Sequence, residues 1–177
     1  MLPDDALHLH GKGWCLLPIK PGTKKPDLKS WKKYQKRRPA ESTVRRWFSG
    51  PIDKNIAAVL GAVSGGLVCR DFDRMDAFER WAAAYPEWAE VLPQSETSKG
   101  RHVFCRVAPH VSTIVFADGE LRGADCYVVL PPSVHESGHL YRWLIPPGDK
   151  IPLVDLAATG LDRQWAEPHP DAVFTEE

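Results

Sequence analysis

The chain contains no apolar run approaching the roughly 18–20 residues that a membrane span requires. Its first residues, "MLPDDALHLHGKGW", carry acids where a secretory signal carries bases, and they lack a long apolar core. A cytoplasmic protein with no membrane partner is therefore expected. None of the four cysteines forms a C-x-x-C pair, so neither a zinc knuckle nor a redox motif is indicated and no zinc is expected. Cys15, Cys69, Cys105 and Cys126 each lie inside or beside an apolar, strand-like run, which reads as buried, reduced thiols. Internal repeats are absent. So is a net charge, with 23 Lys+Arg against 23 Asp+Glu.

That zero conceals an asymmetry. Residues 1–50 hold 12 Lys+Arg against 4 Asp+Glu, a net of +8, and the remainder holds 11 against 19, a net of −8. The bases concentrate in "IKPGTKKPDLKSWKKYQKRRP", residues 19–39, with Trp31 and Tyr34 interleaved. Lys24, Lys25, Lys29, Lys32, Lys33, Lys36, Arg37 and Arg38 form a candidate DNA-binding arm, because such a pattern tracks a phosphate backbone and offers stacking surfaces. A solvated basic helix face has the same composition.

At 177 residues the chain holds one full-sized domain or a compact two-lobed one. "DALHLHGKG" predicts a helix, "WCLLPI" a strand, and "AESTVRRWFSG" a short helix ended by Gly50. "NIAAVLG" and "GLVCRDFD" predict two further strands. "RMDAFERWAAAYPEWAEVLP" has helical spacing through Met75, Phe78, Trp81 and Ala82, interrupted by Pro86. Beyond Pro93, "SETSKGRHVFCRV", "GELRGADCYVVLPPS" and "GHLYRWL" each read as a strand. A mixed α/β (α+β) catalytic domain over residues 1–150 is expected, followed by a polar, Pro-rich tail or linker over 151–177.

Three constellations carry chemistry. In "SGGLVCRDFDRM", Asp71 and Asp73 follow an apolar run two positions apart, so both project from one face of a strand end. Paired carboxylates repel and are costly to desolvate, and a divalent metal between them relieves both penalties. The turn "TSKGRH" gathers donors for an anionic triphosphate in Ser98, Lys99, Arg101, His102 and its backbone N–H groups. In "GELRGADCYVVLPPS", Glu120 and Arg122 share a strand face; they are either a third carboxylate with a phosphate-binding guanidinium or a structural surface pair. Together, three carboxylates, a donor-rich turn and a basic arm are what metal-assisted nucleotidyl transfer needs.

In order, "ALHLHGKGWCLLPIKPGTKKP", Trp31, "NIAAVLGAVSGGLVCRDFD", "TSKGRHVFCR" and "ELRGADCYVVLPPSVHESGHLYRW" resemble the bifunctional primase-polymerase domain of plasmid and phage replication proteins, in the archaeo-eukaryotic primase superfamily. The resemblance spans about residues 5–144. It implies a small α/β unit packed on an RRM-like unit, with the active site in the cleft between them. It also implies catalytic and metal-binding roles for Asp71, Asp73 and Glu120, with two Mg²⁺ or Mn²⁺ ions. Nucleotide binding is implied for Ser98 through His102, Arg122, Ser133 and His135. Two positions depart from the family pattern. Glu120 stands where Asp is usual, and Asp125 and Cys126 replace glycines, so that Asp125 competes as third carboxylate; the following Arg-Gly favours Glu120.

The expected activity is DNA polymerase and primase chemistry on a single-stranded template, with a primer and NTP or dNTP. A replicative helicase or further domain is the expected partner, and a plasmid or phage in a prokaryotic host the expected source. A D-x-D glycosyltransferase, a metal-dependent nuclease and a non-catalytic nucleic-acid-binding module are the alternatives.

Overall fold

The structure, a computed structural model, describes residues 1–168. In chain order its elements are α1 (Pro3–Gly11), β1 (Cys15–Ile19), α2 (Glu41–Phe48), β2 (Asn55–Val59), β3 (Leu67–Phe72), α3 (Met75–Ala84), α4 (Pro86–Ala89), β4 (Gln94–Glu96), β5 (Arg101–Arg106), β6 (Ile114–Phe116), β7 (Gly119–Arg122), β8 (Tyr127–Leu130), β9 (Arg142–Ile145) and α5 (Leu156–Thr159). Local chemistry explains several boundaries. α1 opens on Pro3 with Asp4 and Asp5 in its first turn and closes with His8 and His10 in its last, matching the helix dipole. α3 stops ahead of Pro86, which cannot continue it but suits the first turn of α4.

Two antiparallel sheets result, a three-stranded one in the order β1-β2-β8 and a six-stranded one in the order β6-β7-β3-β5-β4-β9. The expected mixed α+β core is present. Every residue of β1 and β2 is buried, because the small sheet is covered on both faces. One face, with Leu16, Ile56, Ala58, Val128 and Leu130, joins α1 and α2 and meets Leu67, Cys69 and Phe104 of the large sheet. The large sheet's other face, with Val68, Phe72, Val103, Cys105 and Leu121, packs under Ala77 and Trp81 of α3. Alternation along β3 therefore sends Leu67, Cys69 and Asp71 toward the small sheet and Val68, Arg70 and Phe72 toward α3.

Three sequence expectations require correction. "SETSKGRHVFCRV" is a hairpin, β4 and β5, turned at Thr97–Gly100. "GELRGADCYVVLPPS" is two strands in different sheets, since the chain crosses over between Arg122 and Tyr127. A Cβ on Gly123 would lie 2.0 Å from the Val111 carbonyl oxygen, so only glycine permits that close passage. The tail expected from residue 151 is also folded, at least through residue 168. Ile151, Leu161 and Ala166 are buried, and the Trp81 Nε1 donates to the Thr159 carbonyl at 2.7 Å. Residues 169–177 lie outside the described residues. Among those described, no helix is long and apolar enough to cross a membrane.

Three of the four thiols are buried, and Cys126 is half-buried. Burial pushes Cys15 and Cys105 up to about 12 and holds Cys69 well above its usual range. At pH 8 a thiol titrating near 12 is about one ten-thousandth thiolate. A thiol reagent on the native protein is therefore expected to label Cys126 in a fast phase, with the other three reacting only on unfolding. Retention of that phase in Cys126→Ser would contradict this.

Candidate active site

Strand register assembles the site. Asp71 in the central strand β3 pairs with His102 of β5 on one side and Glu120 of β7 on the other. The three side chains share one row on the face toward the small sheet, where the core ends and a cleft opens. His102 Nε2 lies 3.3 Å from Asp71 Oδ1, and Arg122 Nε lies 3.5 Å from Asp71 Oδ2 and 3.3 Å from Glu120 Oε2. Asp73 follows one step past the strand end, its N–H donating to the Asp118 carbonyl at 2.9 Å.

The polar half of the cleft, about 220 Å³, is lined by Asp71, Asp73, Ser98, Lys99, His102 and His135, with Lys24 reaching in. Two of the turn's amides are engaged within it: Thr97 Oγ1 accepts from the Gly100 N–H at 3.0 Å and the Lys99 N–H at 3.4 Å. His135 Nδ1 accepts from the Ser137 N–H at 3.0 Å, and partial burial and Lys24 hold its pKa down. Its neutral ring therefore carries the proton on Nε2, where it can donate.

A wider half, about 370 Å³, adds Trp31, Arg122, Asp125, Cys126 and Tyr127 to the shared Lys24, Asp71, His102 and Tyr141. Trp31 and Tyr127 meet edge-on with centroids 5.1 Å apart, and Tyr127 donates its hydroxyl to the Lys24 carbonyl at 2.8 Å. That bond seats the basic loop on the cleft rim.

Several expected residues stand elsewhere. Arg101 points to the other sheet face, its guanidinium 5.6 Å from the Phe78 ring, because alternation on β5 opposes it to His102. Ser133 is buried, and its hydroxyl clasps the Ile56 backbone, accepting from N–H at 2.9 Å and donating to C=O at 3.2 Å. Asp125 sits on the exposed crossover with φ of 65°, out of the row that Glu120 joins. On the basic arm, Tyr34 is buried and unavailable for stacking, and Arg38 is tied to the Trp14 and His10 carbonyls. Lys25, Lys29, Lys32, Lys33, Lys36 and Arg37 remain exposed.

The electrostatics follow from this packing. Burial alone would raise Asp71, but the His102 contact, Arg122 and Lys24 together hold its carboxyl below the usual range. Asp73 is pushed up by burial and by the neighbouring charges of Asp71 and Glu120, against which Lys99 acts. Asp73 thus senses both other carboxylates, and the all-oxygen donor chemistry of the three suits a hard divalent cation. Among the described residues no three His, Cys, Asp or Glu side chains converge as a ready metal cage. A cation already lies between two of the carboxylates: the guanidinium of Arg122.

Sequence reasoning missed the support beneath this row. Arg70, fully buried on the opposite face, pairs with the buried Asp118 at 2.5 Å and lies over the Phe72 ring at 4.1 Å. Gly119, with φ of +139°, lets β7 pass so close that a Cβ would lie 1.9 Å from the Asp71 carbonyl oxygen. Gly119→Ala is therefore expected to displace the Asp71 backbone, at about 1–3 kcal/mol of stability. Chemical denaturation checks this, and an unchanged midpoint would show that the strand yields without cost.

No match is found among curated proteins. The family model described as bifunctional DNA primase/polymerase, N-terminal, however, matches residues 6–171 and so takes in every strand of both sheets and the whole cleft. The α+β core agrees with that match, and the chain belongs to the Prim-Pol family.

Proposed function

We propose that this chain transfers nucleotides to the 3′ end of a DNA primer under the direction of a single-stranded template, and that it also primes de novo. The observation that carries this reading is the row Glu120–Asp71–His102, set across three adjacent strands at the mouth of a cleft that Lys24 and Lys99 flank. Enzymes of this family generally use divalent metals. Asp71, Asp73 and Glu120 would hold Mg²⁺ or Mn²⁺, two ions in the full site. When bound, the metal activates the attacking 3′-hydroxyl and neutralises charge on the departing pyrophosphate.

The chain's own residues supply the rest. Ser98, Lys99, His102 and the His135 Nε2–H bind the triphosphate in the polar half, and their fixed positions provide most of the orientation. Arg122 stands at the junction of the two halves, within reach of the same phosphates. Trp31 and Tyr127 offer a base an aromatic wall. The exposed lysines of the arm, with Arg37, hold the template backbone. The context proposed for this activity is plasmid or phage replication, alongside a helicase or further domain.

A 5′-labelled primer on a single-stranded template, incubated with dNTPs and Mg²⁺ or Mn²⁺, tests the reading: the labelled strand should lengthen. Shortening would establish a nuclease. Unchanged length with salt-sensitive DNA binding would establish a binding module, and turnover of a nucleotide-sugar a glycosyltransferase.

A further inference from the structure

We infer that Arg122 is the resident cation of the carboxylate row, and that a divalent ion enters by displacing its guanidinium from between Asp71 and Glu120. The inference rests on the metal-dependent reading above and adds a competition to it. Arg122 Nε lies within 3.5 Å of an oxygen of each carboxylate, yet it is buried and makes no aligned hydrogen bond to either. A structural Arg–carboxylate pair is held by directed hydrogen bonds, frequently as a bidentate fork and at the least as the single 2.5 Å bond by which Arg70 holds Asp118. Here the hold is electrostatic, and the guanidinium's one directed bond is from Nη1 to the Tyr127 carbonyl at 3.2 Å.

The side chain also has somewhere to go. It is about one-third exposed and lines the wider half of the cleft. A guanidinium released from Asp71 and Glu120 stays in that space, where the triphosphate's charge arrives with the metal. Arg122 would then serve the carboxylates before loading and the phosphates after it, so that Asp71, the most buried of them, is never left without a compensating cation.

Mn²⁺ binding, read from the paramagnetic resonance signal of free Mn²⁺ without nucleotide or DNA, tests this directly. Arg122→Gln should bind Mn²⁺ about tenfold more tightly than wild type, since a unit positive charge within a few ångströms of the site is removed. Arg122→Lys, which keeps the charge, should stay close to wild type. Equal or weaker binding by folded Arg122→Gln would overturn the inference, as would a Lys variant that behaves like Gln. If Arg122→Gln does not fold, the Arg122 Nε–H resonance of the wild type answers instead. It should shift as Mg²⁺ saturates, and an unmoved signal would overturn the exchange. Wild-type Mn²⁺ binding that Asp71→Asn abolishes leaves the functional reading standing in either case. No Mn²⁺ binding by any variant would remove both.

Discussion

Asp118→Ala is expected to destabilise the protein by about 3–5 kcal/mol, the usual consequence of leaving a buried charge without its partner. Asp118 is fully buried and uses both carboxylate oxygens. Oδ1 accepts from Arg70 at 2.5 Å, while Oδ2 accepts from the backbone N–H groups of Trp165 and Ala166 at 2.5 and 2.9 Å. The variant strands the Arg70 guanidinium among Phe72 and Phe116 and unties the C-terminal segment from the sheet in one step. Urea denaturation gives the free energy. Limited proteolysis should show cleavage near residues 160–166 at denaturant concentrations the wild type withstands. Asp118→Asn, which keeps an acceptor for the two amides, should lose less. A loss under 1 kcal/mol for Asp118→Ala would mean that the pair is dispensable and that the segment is held by Leu161 and the tryptophan indoles alone.

Asp71→Asn is expected to lower nucleotide incorporation by about a hundredfold to a thousandfold, the scale on which removal of a preorganised electrostatic group acts in an active site. The substitution keeps shape and removes one negative charge from the centre of the row. Strand pairing of Asp71 to His102 and Glu120 is made by backbone groups, so the register of β3 should survive. His102 and Arg122 lose an ionic partner, and the unfolding midpoint should move far less than in Asp118→Ala. Loss of incorporation with an intact fold assigns the effect to chemistry. A variant that unfolds would assign Asp71 to the scaffold instead.

What the sequence makes legible is local. Asp71 and Asp73 stand out because paired carboxylates at the end of an apolar run are costly, and the helix over Met75–Ala84 because Met75, Phe78, Trp81 and Ala82 repeat at helical spacing. The donor turn is legible by composition, although Thr97 engages two of its amides. What sequence does not reveal is register. Nothing in "GELRG" says that Glu120 will oppose Asp71, or that the next strand, eight residues on, will leave for the other sheet. The placement of Arg101 and Ser133 is hidden for the same reason, since which face a donor takes depends on register. The Arg70–Asp118 pair joins residues 48 positions apart across a sheet, and no periodicity announces such a contact. The C-terminal segment reads as a linker because it is polar and Pro-rich. Many of its anchors are backbone groups, carbonyls that accept from distant tryptophans and amides that donate to Asp118, and a backbone group has no letter in a sequence.

The central claim is that the Asp71 row carries metal-dependent, template-directed nucleotidyl transfer. The most direct test is single-nucleotide addition to a labelled primer, with one dNTP at a time opposite each template base, for wild type and Asp71→Asn. The assay is run with Mg²⁺, with Mn²⁺ and with chelator, beside a primer-free lane. Wild type should add the complementary nucleotide only when metal is present and should form products without primer, and Asp71→Asn should lose both activities. Addition by Asp71→Asn at the wild-type rate, or addition in chelator, would contradict the claim.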